Sequence, residues 1–218
     1  NDVFSELLRN TTAETYLRVE EKSKSPNPED IYFLKFSTFQ NDSNTLLGTS
    51  LIQQDINFFE FNTAYSLKLR FIQQRNINQF VSGNERFFGI QKSVKLKLGL
   101  TNDITTLFEY LNRVDRNDAP ANSVRNRNIK SEGISGDFSY RPIPEIESGF
   151  VLNFSKATDD YPAVPLQADI NRILFRIIYS FTLSGRIRAE VERDNIKLNN
   201  PDAAFPYELT NGRPVGSS

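Results

Sequence analysis

The chain has 218 residues, with 26 Lys and Arg against 27 Asp and Glu, for a formal net charge of -1. That near-balance supplies no bulk attraction for nucleic acid or anionic lipid. Cys and His are both absent, which removes disulfides, thiol nucleophiles, serine triads, Cys–His pairs and histidine-based metal sites.

No stretch reaches the ~20 apolar residues that a transmembrane helix needs. A membrane-spanning strand needs only about 9–11 residues and touches lipid with one face, so a mean hydropathy of −0.47 does not exclude a barrel. The chain begins at Asn1 and carries no signal peptide, so it reads as a processed form, a domain or a fragment.

Residues 1–13 read as a lead-in, in which 2–9 either begin a helix or extend the first strand. Strands follow at 14–22 and 31–39, the second apolar on both faces at Tyr32-Phe33-Leu34. A long link at 40–54 precedes a short strand at 56–61, where Asn57, Phe59 and Phe61 compete with Ile56 and Phe58 for one side. From 65 to 74 the alternation is clear: Tyr65, Leu67, Leu69 and Phe71 against Ser66, Lys68 and Arg70. A second long link is expected at 75–91.

Residues 93–101 set Val94, Leu96, Leu98 and Leu100 against Ser93, Lys95, Lys97, Gly99 and Thr101. Asn102-Asp103 makes a tight turn, since both residues tolerate positive φ. The return strand, 104–115, puts Phe108 and Tyr110 opposite Glu109 and Arg113. After a long link at 116–128, residues 130–140 place Ile134, Phe138 and Tyr140 against Ser131, Ser135, Asp137 and Ser139. The turn Arg141-Pro142-Ile143-Pro144 interrupts pairing because proline cannot donate to a ladder.

Residues 146–156 then alternate Phe150, Leu152 and Phe154 with Glu147, Gly149, Asn153 and Ser155. Beyond a link at 157–169, strand 170–182 carries Ile173, Phe175, Ile177, Tyr179 and Phe181 against Arg172, Arg176 and Ser180. The last strand, 186–196, sets Ile187, Ala189 and Val191 against Arg186, Arg188, Glu190 and Glu192. Residues 197–218 read as a loop-like tail.

The fold class is therefore all-β, an antiparallel up-and-down meander of about ten strands occupying 14–196. Short links (23–30, 62–64, 102–103, 141–145, 183–185) alternate with long ones, which places the tight turns on one rim and the long loops on the other. Several strands exceed the globular mode of about 5–6 residues. Aromatic residues gather near strand ends, Tyr65, Tyr140, Tyr179 and Phe181 toward the short-turn rim and Phe71, Phe108, Tyr110 and Phe154 toward the long-loop half, as in interfacial girdles.

By this pattern the chain resembles Gram-negative outer-membrane β-barrel proteins, in particular a barrel part from the C-terminal region of a larger envelope protein. The likeness covers about 14–196 and carries no diagnostic motif. It departs at the C-terminus, where such barrels commonly close on a strand with a terminal aromatic and this chain reads Gly212-Arg213-Pro214-Val215-Gly216-Ser217-Ser218. Further strands or domains of a larger chain are then expected. The resemblance implies a transmembrane-type barrel or part of one, outer-membrane lipid as its partner, and a role as an envelope anchor or a transport or pore component. A soluble β-sandwich or lipocalin-like binding module, periplasmic or secreted, explains the same alternation with the apolar face inward. An interaction scaffold that presents long extracellular loops is compatible with the membrane reading, and the protein partner is left open.

In a barrel the lumen-lining set would be Lys68, Arg70, Lys95, Lys97, Glu109, Arg113, Arg172, Arg176, Arg186, Arg188, Glu190 and Glu192. The cations outnumber the carboxylates and would favour anionic solutes if the lumen were open. With about ten strands, an interior filled by an ion-pair lattice is the alternative, and Leu174 and Ile178 on that face favour filling. Carboxylates at Asp115-Arg116-Asn117-Asp118 and Thr158-Asp159-Asp160 are the oxygen type that holds calcium, but ordinary turn chemistry explains them equally. The segment from Asp160 through Tyr161, Pro162 and Pro165 is either a recognition loop or a stiffened one. Arg125-Asn126-Arg127 reads as solvated charge or a phosphate contact. No cofactor, metal or catalytic constellation is expected; Glu190 and Glu192, flanked by arginines, suit an ion network better than acid–base work.

Overall fold

The computed structural model describes residues 5, 9–23, 45–59, 64–80, 83–119, 125–181 and 185–200. They contain nine strands: β1 (Thr11–Ser23), β2 (Thr45–Phe58), β3 (Tyr65–Phe80), β4 (Gly83–Gly99), β5 (Ile104–Asp118), β6 (Arg127–Ile143), β7 (Ile146–Asp159), β8 (Leu166–Ser180) and β9 (Arg186–Leu198). All belong to one sheet in sequence order, each strand antiparallel to the next. The all-β antiparallel meander is thus present, with nine strands among the described residues. The strand read at 31–39 lies outside the described residues.

Closure does not occur among the described residues: β1 pairs with β2 and β9 with β8, and no pairing joins the two edges. Because the strands alternate in direction, all odd-numbered strands run the same way. Both edge strands climb from the rim of the 100–103 and 144–145 links to the rim of the 119–126 and 160–165 links.

The strands are longer than their alternation indicates, and this corrects four of the expected links. Segment 40–54 becomes β2 from Thr45 onward, and segment 75–91 is almost entirely β3 and β4, paired from Tyr65↔Leu98 to Phe80↔Gly83. Segment 116–128 shrinks to 119–126 and segment 157–169 to 160–165. One rim therefore carries links 24–44, 81–82, 119–126 and 160–165, and the other carries 59–64, 100–103, 144–145 and 181–185. The two-residue link at 81–82 breaks the expected segregation of tight turns to a single rim. At Pro142 the ladder does shift register, between Tyr140 and Ile143. Strand β2 ends where Phe59 adopts φ 58°, a left-handed conformation uncommon for a residue with a bulky side chain.

The register divides the sheet into two faces with opposite exposure. One carries Val94, Phe108, Ile134, Phe154, Ile173, Phe175, Ile177, Ile187 and Val191, all 39–72% exposed. The other holds most of the buried residues, including Asp55, Ser93, Ile129, Ala157, Ala168, Ile170, Leu174 and Ile178. No second layer covers either face among the described residues. A single sheet shields one face only by curling over it, so the polar face is the concave one. At its upper end Ile129, Ala157, Leu166 and Ala168 form a small apolar cluster against Leu198.

Candidate functional site

The concave face brings together every residue of the expected lumen-lining set. Lys68 on β3 is cross-strand from Lys95 on β4, and Arg176 on β8 from Glu190 on β9. Most of these charges are paired. Asp55, 4% exposed, accepts from Arg70 Nε and Nη2 at 2.8 and 2.9 Å and from Gln53 at 3.0 Å, with Lys68 Nζ at 3.1 Å. Lys95 meets Glu109 at 3.2 Å, Arg113 meets Asp115 at 2.6 Å, and Arg172 meets Glu192 at 2.6 Å. Arg188 pairs with Glu190 along β9.

Arg176 reaches farthest. Its guanidinium crosses β7 to donate two 3.1 Å hydrogen bonds to Asp137 on β6, with Glu147 at 3.7 Å. Gly149 makes this path: a Cβ there would lie 2.5 Å from Arg176 Nε. Lys97 and Arg186 make no ion pair among the described residues.

The predominance of cations expected from the alternating segments does not hold once every residue that the register places on this face is counted. Glu14, Glu20, Asp55, Glu85, Asp115, Asp159 and Asp194 join this face, against Arg18 and Arg127. The face is close to charge balance, and Leu174 and Ile178 are 7% exposed within it.

Loop chemistry at the upper rim is also accounted for. Asn126, 6% exposed, donates to the Tyr161 hydroxyl at 2.7 Å and accepts from the Ala119 amide at 2.6 Å. Asp159 accepts from the Asn128 and Tyr161 amides at 2.9 and 3.1 Å. Arg125 meets Glu85 at 2.9 Å and Lys130 meets Asp160 at 2.7 Å. Tyr161 thus ties one rim loop to the next, the stiffening alternative for its segment. No group of three carboxylates gathers among the described residues; Asp115 and Asp118 point to opposite faces.

The apolar face carries the second feature, a belt that sequence alternation alone did not place. On β3 to β9 its outward residues are apolar from the lower rim upward, interrupted by Thr106, Gly136 and Ser148. The belt ends strand by strand at a first polar residue: Gln73, Lys92, Asn112, Glu132, Lys156, Asn171 and Arg193. Tyr65, Tyr140 and Tyr179 mark its lower edge, and Phe71, Tyr110 and Phe154 its upper edge. Phe108 sits inside the belt, edge-on to Phe138 at 5.8 Å, over the gap that Gly136 leaves.

Across β4 to β7 this edge follows one hydrogen-bond row, Lys92↔Asn112↔Glu132↔Lys156, and it steps by two residues at each of the β3/β4, β7/β8 and β8/β9 pairs. The register carries Arg193 through Ile173, Leu152, Gly136, Phe108 and Leu96 to Leu67 on β3. The polar edge on β3 is Gln73, six positions beyond Leu67, gained over the six steps from β9 to β3. The rise averages one residue per strand and is taken in three two-residue steps. On β1 the outward apolar positions Leu17 and Val19 stand higher again, opposite Ile52 and Ser50.

No protein-family model, curated protein or solved structure matches the chain.

Proposed function

We propose that the chain is wall from an outer-membrane-type β-barrel, non-enzymatic, acting as an envelope anchor or as part of a transport structure in a bacterial outer membrane. The slope of the belt carries this reading. A strand rises about 3.3–3.4 Å per residue and neighbours lie about 4.7–4.9 Å apart, so the average of one residue per strand between β9 and β3 corresponds to a mean inclination of about 35°. Membrane barrels incline their strands by about 35–45° to the axis. A belt level with a bilayer must cross the register of such a wall diagonally.

The belt covers seven residues on β3, β5, β6 and β8, nine on β7 and five on β4 and β9; the common seven give about 20 Å of strand and about 16 Å along an axis inclined by about 35°. Aromatic residues stand at both ends of this run, as at the interfaces of the ~25 Å apolar band of outer-membrane barrels. A water-soluble sandwich needs a second layer over the apolar face, and the described residues supply none. The balanced, paired charge of the concave face suits a filled interior better than an anion-selective pore.

The absence of cysteine makes the test direct. Single cysteines at Ile177 and Arg176, neighbours on opposite faces, are labelled with an environment-sensitive fluorophore in the membrane-assembled protein. Quenching by spin-labelled lipid at position 177 and protection from it at 176 are expected. Equal quenching at both, or release of the protein from membranes by plain buffer, overturns the reading.

A further inference from the structure

Resting on the reading of the sheet as membrane wall, we infer that β9 is an assembly edge for an amphipathic strand that descends antiparallel to it, one of an odd number that complete the ring. The argument is one of direction. β1 and β9 are the first and ninth members of an alternating sheet, so both run from lower to upper rim. Joining them within one chain would pair them parallel, the less stable arrangement per residue. A second copy does not solve this. In a bilayer it has the same orientation, and its two edges also run upward. Only an odd number of strands from elsewhere restores antiparallel pairing at both edges.

The edge itself is continuous with the rest of the wall. Ile187, Ala189 and Val191 stand cross-strand from Tyr179, Ile177 and Phe175 on β8 and prolong the belt. Ile187 and Val191 are 60% and 72% exposed, against 44% and 46% for Tyr179 and Phe175 one strand inward. The difference is the flank that a neighbouring strand covers. Edge strands left with a free row of N–H and C=O groups are templates for strand addition. On the concave side, Arg186 has no ion partner among the described residues, whereas Arg188 and Glu192 are engaged with Glu190 and Arg172. The incoming strand therefore carries outward apolar residues level with Ile187 to Val191 and an inward carboxylate near Arg186. The segment 199–218 is poorly suited to this, with Pro201, Pro206 and Pro214 and no run of alternating apolar residues.

The test uses the full polypeptide in its native membrane. Residue-resolved hydrogen exchange is read along β9. A bare edge protects alternate amides, those bonded to β8, whereas an antiparallel neighbour protects them uniformly. In parallel, Leu17→Cys on β1 is combined in turn with Ile187→Cys, Ala189→Cys, Val191→Cys and Arg193→Cys under oxidation. Uniform protection with no β1–β9 disulfide is expected. Alternating protection overturns the proposal, as does a disulfide within one chain, which reports parallel closure, or between chains, which reports a second copy. Exchange on the unsubstituted protein keeps the test decisive if a cysteine variant fails to assemble. Uniform β9 protection in protein extracted by plain buffer would sink the membrane reading while leaving the antiparallel partner in place.

Discussion

The Arg176 guanidinium lies across an entire strand to reach Asp137, and the missing side chain of Gly149 is what clears its way. Arg176 and Asp137 side chains are 19% and 30% exposed, so the bidentate pair is partly withdrawn from water and worth more than a surface bridge. Gly149→Ala should displace the arginine and destabilise the sheet by about 1–3 kcal/mol. Denaturant unfolding of the membrane-assembled protein checks the size. A double-mutant cycle with Asp137→Asn checks the route, because the two losses should overlap strongly if Gly149 acts by clearing that path.

Asp55 gathers two cations and an amide while almost fully enclosed. Asp55→Ala leaves Arg70 and Lys68 close together without their common counter-ion, and should cost about 3–5 kcal/mol. Gln53→Ala removes one neutral donor and should cost about 1 kcal/mol. Urea titrations of both variants give the ratio, and a smaller loss for Asp55→Ala than for Gln53→Ala would contradict the ion-cluster account.

Belt position should decide what a charge costs. Phe175→Arg, within the belt, is expected to lose about 2–4 kcal/mol, whereas Asn171→Arg at its edge should lose no more than about 1 kcal/mol. Two positions farther up the same face, Gln167→Arg should be close to neutral. The measurement is unfolding free energy in lipid vesicles, and equal losses at the three positions would remove the slope argument.

Asn126 and Tyr161 couple two upper-rim links through one hydrogen bond. Tyr161→Phe should cost about 0.5–1.5 kcal/mol and increase protease cleavage between 119 and 126, the segment whose Asn126 loses its acceptor. Cleavage confined to 160–165 would show that Tyr161 secures only its own link.

The sequence was legible where chemistry differs between the two faces. Strands β4 to β9 alternate Leu, Phe and Ile with Lys, Arg and Ser inside the belt, and their faces were assigned correctly. Above the belt the contrast vanishes. Gln73, Gln74, Arg75 and Asn76 on β3 face Ile90, Gly89, Phe88 and Phe87 on β4, so neither face reads as apolar and the ladder looks like a loop. Segment 45–54 fails for the same reason, with Ser50, Gln53 and Gln54 dispersing the apolar positions. Misreading these ladders also distorted the charge tally, since Asp55, Glu85 and Asp159 lie on stretches excluded from the strands. The slope of the belt was out of reach, because it needs the register between strands, and alternation within a strand carries no information about that offset.

In the proposed barrel, the inclination of the wall fixes how much circumference each strand contributes. At about 35° a strand occupies roughly 5.9 Å of perimeter, so nine make an arc of about 53 Å, and a ring with one more has a backbone radius of about 9 Å. Side chains as long as Arg176 and Lys95 consume that radius from all sides. On the proposed barrel reading, a ten-stranded ring built on this arc would be a solid post in the bilayer, and an aqueous bore would need a ring several strands wider.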